Sequence, residues 1–331
     1  MTTLADIARA AGVSTPTVSK VLNGRADVAA STRERVEGIL REHGYRRRAS
    51  QPVALLDLVF NELTSAWAME IIRGAEQVAH DEGLNLLVSK SGGRNGTGEP
   101  SWLETVIAHR PAGVVLVVAD LTAAEYAQLT SRGIPFVVID PAGELDQDVP
   151  AVGATNWHGG LAATRHLLDL GHRRIGMVAG PDRLLCSRAR VDGYRSALES
   201  AGVTYDPTLV RGGTFNQDTG YQVGLELLHA RNRPTAVFAG NDLQALGLYE
   251  AAREAGLRIP EDLSVVGFDD MVLARWAGPP LTTIRQPLTE MAAAAARIVV
   301  DLSRGKTPTA TRIELATRLI ERNSTAPPPA A

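Results

Sequence analysis

Residues 4–24 read LADIARAAGVSTPTVSKVLNG, and the spacing within this stretch decides how the N-terminus folds. Leu4, Ile7, Ala8 and Ala11 recur at helical intervals on one face, with Thr3 placed as a cap and Asp6 three residues after it. Gly12 stops that helix and supplies a sharp turn. Ser14 then opens a second short helix, with Val18, Val21 and Leu22 inward and Thr15, Pro16, Thr17 and Lys20 outward. Pro16 is tolerated there because the first helical turn has no backbone hydrogen bond to lose. Working outward, Ser31-Thr32-Arg33-Glu34 reads as a capping box for a third helix carrying Val36, Ile39 and Leu40, with Gly44 as its stop. Three short helices with a tight turn after the first make a helix-turn-helix.

Helical hairpins also build small bundles that touch no nucleic acid, so the pattern alone leaves two readings open. Charge separates them. The first 50 residues carry nine basic and five acidic side chains, a net of +4, while the chain as a whole stands at −3 and the other 281 residues at −7. The outward face of the second helix holds short hydrogen-bonding groups and Lys20 but no acid. Arg25, Arg33, Arg35 and Arg41 lie around it, and Arg46, Arg47 and Arg48 follow the third helix. Phosphates are bound by such a positive fringe, and base edges are read by compact side chains on a helix in the major groove.

From Val53 onward, short apolar runs alternate with amphipathic stretches. Strands are expected over 53–60, 84–89, 113–118, 136–140, 175–179, 236–239 and 263–268. Helices are expected over 66–81, 101–110, 123–132, 156–170, 184–201, 218–229 and 242–255. That alternation predicts parallel sheets covered on both faces, and it restarts near residue 154, so two lobes of similar design follow. Doubly wound sheets bind ligands beyond the carboxyl ends of their strands. Asp120, Asp140, Asn241, Asp242, Asp269 and Asp270 fall at those ends. Singly, each also reads as a cap or turn residue. Together they describe an acceptor-rich cleft suited to a neutral polyhydroxy ligand, whose C–H faces need aromatic plates.

Composition sets the outer limits. A length of 331 residues with 44% hydrophobic and 21% charged residues predicts a soluble globular chain of two or three folding units. Cys186 is the only cysteine, which excludes an intrachain disulfide and a multi-thiolate metal cage. No run has the length of a membrane span, and MTTLADIARAAG lacks a basic region and a cleavage site, which points to the cytoplasm. No G-x-S-x-G, H-E-x-x-H or complete phosphate loop occurs. Arg304-Gly305-Lys306-Thr307 lacks the earlier glycine of a phosphate loop, the cluster from Gly92 to Gly98 has the wrong spacing for a dinucleotide, and the seven His show no metal spacing. The chain is therefore expected to be no enzyme, with no catalytic residue, no cofactor and no metal.

The run from Leu4 to Ser14, Thr17-Val18-Ser19-Lys20-Val21-Leu22-Asn23-Gly24, and the later Thr32-Arg33-Glu34-Arg35-Val36 and Gly44-Tyr45 resemble the DNA-binding head of the LacI/GalR family of bacterial sugar-responsive repressors. Further motifs extend the resemblance over nearly the whole chain: Gly171-His172-Arg173-Arg174-Ile175, Ser187 to Tyr194, Asn241-Asp242, Ser264 to Asp270, and Pro280 to Gln286. It implies an N-terminal all-α helix-turn-helix head followed by an α/β, two-lobed, periplasmic-binding-protein-like effector domain with parallel sheets. The implied divisions are a head at 1–45, a hinge at 46–54 and an effector domain at 55–331. Its N-lobe covers about 55–154 and 286–312, and its C-lobe about 155–285 and 313–325, with crossovers near 154, 285 and 312.

The resemblance also implies roles. Thr15, Pro16 and Lys20 would face base edges, and Thr17, Ser19 and Asn23 would hold phosphates. Asp140, Arg190, Asn241 and Asp269 fall where a sugar is hydrogen-bonded, Phe215 at an aromatic platform, and Leu288 where some members have Phe. Trp67 would either stack on a sugar ring or serve as a core residue. The partners implied are double-stranded operator DNA, a small-molecule sugar, with a pentose or xylo-oligosaccharide favoured, and a second copy of the chain; the Pro/Ala-rich tail has no heptads for a larger assembly. The chain departs from the family at Tyr45-Arg46-Arg47-Arg48-Ala49, where no Leu stands at the minor-groove wedge. Arg46, Arg47 and Arg48 would instead lie along a narrowed groove or form a solvated tether. Two alternatives share the two-lobed body: a sugar-binding protein of a transport system, and an enzyme.

Overall fold

The computed structural model describes residues 4–22, 28–42, 54–61, 63, 66–91, 101–118 and 121–329. Contacts divide the chain into two units, 1–54 and 55–331. In the first, helices α1 (Leu4–Ala11), α2 (Thr15–Leu22) and α3 (Ala30–Glu42) bury Ile7, Ala8, Ala11, Val18, Val21 and Val36 against one another. Gly12 takes φ +62° in the turn, a value that L side chains rarely adopt. Ser14 caps α2: its Oγ receives the Thr17 N–H at 3.4 Å and its carbonyl receives the Val18 N–H at 3.2 Å. The third helix begins at Ala30, so Ser31 lies inside its first turn and the expected capping box is displaced.

In the second unit the chain runs β1 (Leu55–Phe60), α4 (Ala66–Asp81), β2 (Asn85–Lys90), α5 (Trp102–His109), β3 (Gly113–Val117), α6 (Ala123–Ser131), β4 (Phe136–Ile139) and β5 (Ala151–Ala154). It continues through α7 (Asn156–Asp169), β6 (Ile175–Val178), α8 (Leu185–Ser200), β7 (Val210–Arg211), α9 (Gln217–Leu228), β8 (Ala236–Ala239) and α10 (Asp242–Glu254). Then come β9 (Ser264–Asp269), α11 (Val272–Trp276), β10 (Thr282–Arg285), α12 (Leu288–Ser303), β11 (Arg312–Leu315) and β12 (Arg318–Ile320). One sheet has the order β11-β5-β4-β3-β1-β2 and the other β12-β10-β9-β8-β6-β7. Every pairing is parallel except β10 with β12.

The chain crosses between the lobes three times, at 154–156, 285–288 and 315–318. The third crossing lies beyond the expected position near 312, because Arg312–Leu315 first pair with Ala151–Ala154 and so extend the first lobe's sheet. Apolar faces explain the layering. Leu56, Leu58 and Phe60 point to α4 and α12, while Val59 points with Val114, Leu116 and Val138 to the opposite core. The second lobe has the same two-sided arrangement around β6, β8 and β9. Helix α12, with the run AAAAA at 292–296, was not among the expected helices, although its buried Leu288, Met291, Ala292, Ala295, Ala296, Val299 and Val300 recur at helical spacing and Ala is the best helix former.

Helices α7 and α8 approach closely because glycines meet across them. A Cβ on Gly193 would stand 2.2 Å from the Trp157 carbonyl oxygen, and one on Gly160 would stand 2.3 Å from that of Arg190. Gly193→Ala is therefore expected to separate the pair and destabilise the second lobe by about 1–3 kcal/mol, read as a lower urea midpoint for the full chain. An unchanged midpoint would mean that the contact relaxes freely.

Candidate functional site

A cavity of about 520 Å³ lies between the lobes at the carboxyl ends of their strands. The first lobe contributes Phe60, Asn61, Trp67, Val117, Val118 and Asp140 to its wall. The second contributes Pro181, Arg183, Leu184, Cys186, Arg190, Thr214, Phe215, Asn216, Asn241, Leu243, Asp269 and Met271, and Gln286 lies on the second crossing. Three of the lining residues that follow strands have left-handed backbones, Val118 at φ 50°, Asp140 at 45° and Asp269 at 114°. Such strain persists only where the surroundings over-determine it, and it turns these side chains out of the sheets towards the cavity.

Arg190 is the centre of the site, although it is only 4% exposed. Its Nε donates to Asn156 Oδ1 at 2.9 Å and its Nη1 to the Gly240 carbonyl at 2.6 Å. The guanidinium carbon lies 3.7 Å from the centroid of the Phe268 ring and 5.4 Å from that of Phe215. Nη2 makes no hydrogen bond among the described residues. A buried cation is thus fixed by neutral partners, leaving its charge to act on the two carboxylates of the cavity.

Those carboxylates come from opposite lobes. Burial pushes Asp140 up to about 6 against the pull of Arg190 and of the Ala154 N–H. Burial likewise raises Asp269 to about 6, opposed by Arg190 and by Gln286, whose Nε2 donates to Asp269 Oδ1 at 2.6 Å. Gln286 is 4% exposed, and its Oε1 has no partner among the described residues. Asn241 has two roles. Its Oδ1 caps α10 by accepting from the Gln244 N–H at 2.9 Å, and its Nδ2 donates to the Phe215 carbonyl at 3.2 Å. The structure therefore brings together Trp67, Asp140, Arg190, Phe215, Asn241 and Asp269 around one space. Trp67 lines the cavity and also packs on the first lobe's core.

Three expected residues do not join them. Leu288 starts α12 and is buried in the first lobe's core among Ile71, Met291 and Ala292, away from the cavity wall. Asp242 is fully buried, accepting from the Met271 N–H at 2.8 Å and from Thr283 Oγ1 at 2.6 Å; it joins α10 to β10 and the start of α11. Asp270 is held by Arg285 and Arg322. Asp120 lies outside the described residues. Arg183, Cys186, Met271 and Gln286 were missed as wall residues, because they stand on loops, a crossing and, for Cys186, the first turn of α8, where no periodic pattern marks the cavity side. The Cys186 thiol is pushed up to about 11 by burial, which keeps it protonated and unreactive at neutral pH. His166 and His172 bind the tail: His166 Nε2 pairs with Thr325 Oγ1, and His172 Nε2 meets Ser264 Oγ and the Ala326 carbonyl.

In the head, Thr15, Pro16 and Lys20 are exposed on α2 and Thr17 is half-buried. Thr17 Oγ1 is 2.9 Å from Ser14 Oγ, so the helix cap already engages its hydroxyl. Ser19 lies on the same helix. Asn23, Arg46, Arg47 and Arg48 lie outside the described residues. Among the described residues, no group of three or more His, Cys, Asp or Glu is arranged to hold a metal ion, and no helix is long and apolar enough to cross a membrane.

Comparison with known proteins places both halves. Residues 3–48 match the bacterial regulatory proteins of the lacI family, and residues 164–325 match the periplasmic binding protein-like domain. The chain is 34% identical to the HTH-type transcriptional regulator CelR of Thermobifida fusca, over 97% of this chain and 98% of that protein. It resembles the structure of a transcriptional regulator CelR–cellobiose complex at 34% identity and a TM-score of 0.74, covering 98% of this chain and all of the other. It also resembles the lac repressor dimer bound to operator and the anti-inducer ONPF, at 27% identity and a TM-score of 0.72, covering 98% and 99% of the two chains. These similarities run through the head as well as the body, and so turn the reading away from a transport component.

The raised carboxylates have a measurable consequence. A carboxylate whose folded value exceeds its ordinary 3.8 loses stability for the fold as pH climbs from about 4 through about 6, then no more above that. Asp269→Asn removes this loss. The variant should match the wild type near pH 4 and exceed it by about 1–3 kcal/mol above about pH 6.5 in denaturant titrations. A variant that matches the wild type at low pH and is less stable than it above about pH 4 would mean that Arg190 outweighs burial.

Proposed function

This chain belongs to the lacI family of bacterial regulatory proteins and is a DNA-binding transcriptional regulator; from that premise we infer that it is a homodimeric repressor released from its operator by a neutral saccharide. The observation that carries the reading is the inter-lobe cavity, where each lobe supplies one carboxylate to the field of the same guanidinium. A polyol that donates O–H groups to Asp140 and Asp269 and accepts from Arg190 is bound by both lobes at once, so it favours one inter-lobe arrangement over another. Trp67 from the first lobe and Phe215 from the second offer plates for the C–H faces. A cavity of about 520 Å³ has room for more than one sugar ring, and we favour a xylo-oligosaccharide, with cellobiose next because the CelR complex holds it.

At the other end, α2 presents Thr15, Pro16 and Lys20 to base edges. Pro16 can contribute only shape and apolar contact, for example to a thymine methyl. Thr17, Ser19 and Asn23 hold phosphates in this reading, and Arg46, Arg47 and Arg48 add charge along the duplex. Two heads in a dimer need fixed spacing, because half-sites recur at one-turn intervals. A shift between lobes that disturbs this spacing need not be large in energy: a ~100-fold loss of operator affinity corresponds to about 2.7 kcal/mol of coupling. The protein takes no catalytic role in this account and works in the cytoplasm, where its operator lies.

The deciding experiment is a gel shift on the DNA upstream of the protein's own gene, at two salt concentrations, with xylose, xylobiose, ribose and cellobiose. Specific binding that weakens with salt and is released by at least one sugar is expected. Binding no tighter than to random duplex would overturn the reading. Lys20→Ala should weaken operator binding by about 1–3 kcal/mol while sugar affinity, measured by calorimetry, stays unchanged.

A further inference from the structure

Asp269 and Asp270 are neighbours with opposite surroundings. Asp269 faces the cavity and takes the Gln286 amide. The Asp270 side chain is fully buried away from it, between two guanidiniums. Arg285 Nε donates to Asp270 Oδ2 at 2.7 Å, and Arg322 Nη2 donates to Oδ1 at 2.5 Å. The two arginines lie in the second lobe close to the segments that connect the lobes. Arg285 ends β10 and stands directly before Gln286 at the second crossing, and Arg322 follows β12, the first strand after the third crossing. Arg322 is itself fixed, its backbone N–H donating to Thr282 Oγ1 at 2.9 Å and its Nη1 to the Leu281 carbonyl at 2.7 Å.

Both aspartates have positive φ, 114° for Asp269 and 57° for Asp270. Two successive non-glycine residues in that region hold strain of a few kcal/mol that only outside contacts maintain. Those contacts are the ones just named, and all of them lead to crossings two and three. A stability role alone would require only one arginine to neutralise one buried carboxylate. Here two converge, Arg285 at the second crossing and Arg322 just past the strand that follows the third.

We propose that Asp270 is a positioning residue for effector release, joining the ligand-facing Asp269 to the second and third lobe crossings through Arg285 and Arg322. The inference rests on the repressor reading above and adds the route by which an occupied cavity acts on the crossings. When a ligand hydroxyl engages Asp269, the strained pair moves as one piece, and the ion pairs on its far side carry that movement to both segments.

The test uses the full chain, with operator affinity measured by fluorescence anisotropy and sugar binding by calorimetry, both with xylobiose and cellobiose as probes. Asp270→Asn should bind operator and sugar within about threefold of wild type, while sugar-driven release falls from about 100-fold to less than about tenfold. Arg285→Gln removes the more exposed partner, keeps Arg322 on the carboxylate, and should show the same split to a smaller degree; it decides the matter if Asp270→Asn does not fold. Full release in the folded variants, or loss of release in proportion to loss of sugar binding, would overturn the relay. A wild type that responds to neither sugar would instead remove the repressor reading, and the relay with it.

Discussion

A guanidinium buried without a direct ion pair is the constraint on which the effector domain is built. Arg190 donates to an amide and a carbonyl and its guanidinium sits over the Phe268 ring, so its charge is left to the two carboxylates across the cavity. Holding it there requires the close approach of α7 and α8, since Asn156, its Nε partner, begins α7 and Arg190 itself lies on α8. The glycines that permit that approach thus act on function through geometry. Asp140 and Asp269 face the buried Arg190, and the exposed Arg183 adds a second guanidinium to the wall. Neutral hydroxyls both donate to the carboxylates and accept from the guanidiniums, so they engage this mixed lining without adding charge.

Sharing a ligand between lobes converts binding into motion only if each lobe has its own claim on it. Asp140 ends a strand of one lobe and Asp269 a strand of the other, and both are strained outward. Their raised proton affinity is the measure of how poorly protein groups alone satisfy them. A ligand that satisfies both does so in one inter-lobe arrangement, and the differential interaction that allostery requires follows from that placement.

How far the sequence was legible depends on periodicity. The helix-turn-helix was readable because Ile7, Ala11, Val18 and Val21 repeat at helical spacing and are buried as that spacing requires. The longer strands were readable because both faces are covered and their runs are unbroken. Val210–Arg211, Arg312–Leu315 and Arg318–Ile320 were not: they are short edge strands with few apolar residues, and tertiary pairing decides them. Polar residues at strand ends were found as a group, but the group could not be sorted. Asp242, Asp269 and Asp270 look alike in sequence, and only the positions of Thr283, Gln286, Arg285 and Arg322 assign one to the cavity and two to the frame. Leu288 shows the converse error, since alignment by motif cannot tell which way the first turn of α12 faces.

The division of charge gives the coupling its form. A head of net +4 is drawn to a duplex while a body of net −7 is repelled by it, so the body gains nothing from DNA directly. In the proposed reading the sugar bound in the body is neutral and changes no long-range field. Electrostatics therefore cannot carry the signal from cavity to operator. What remains is mechanical: a change in the arrangement of the lobes, passed through the three segments that join them. In that reading the residues that control response need touch neither ligand nor DNA, and they are those that hold the chain segments at 154–156, 285–288 and 315–318 in place, as Asp270 holds Arg285.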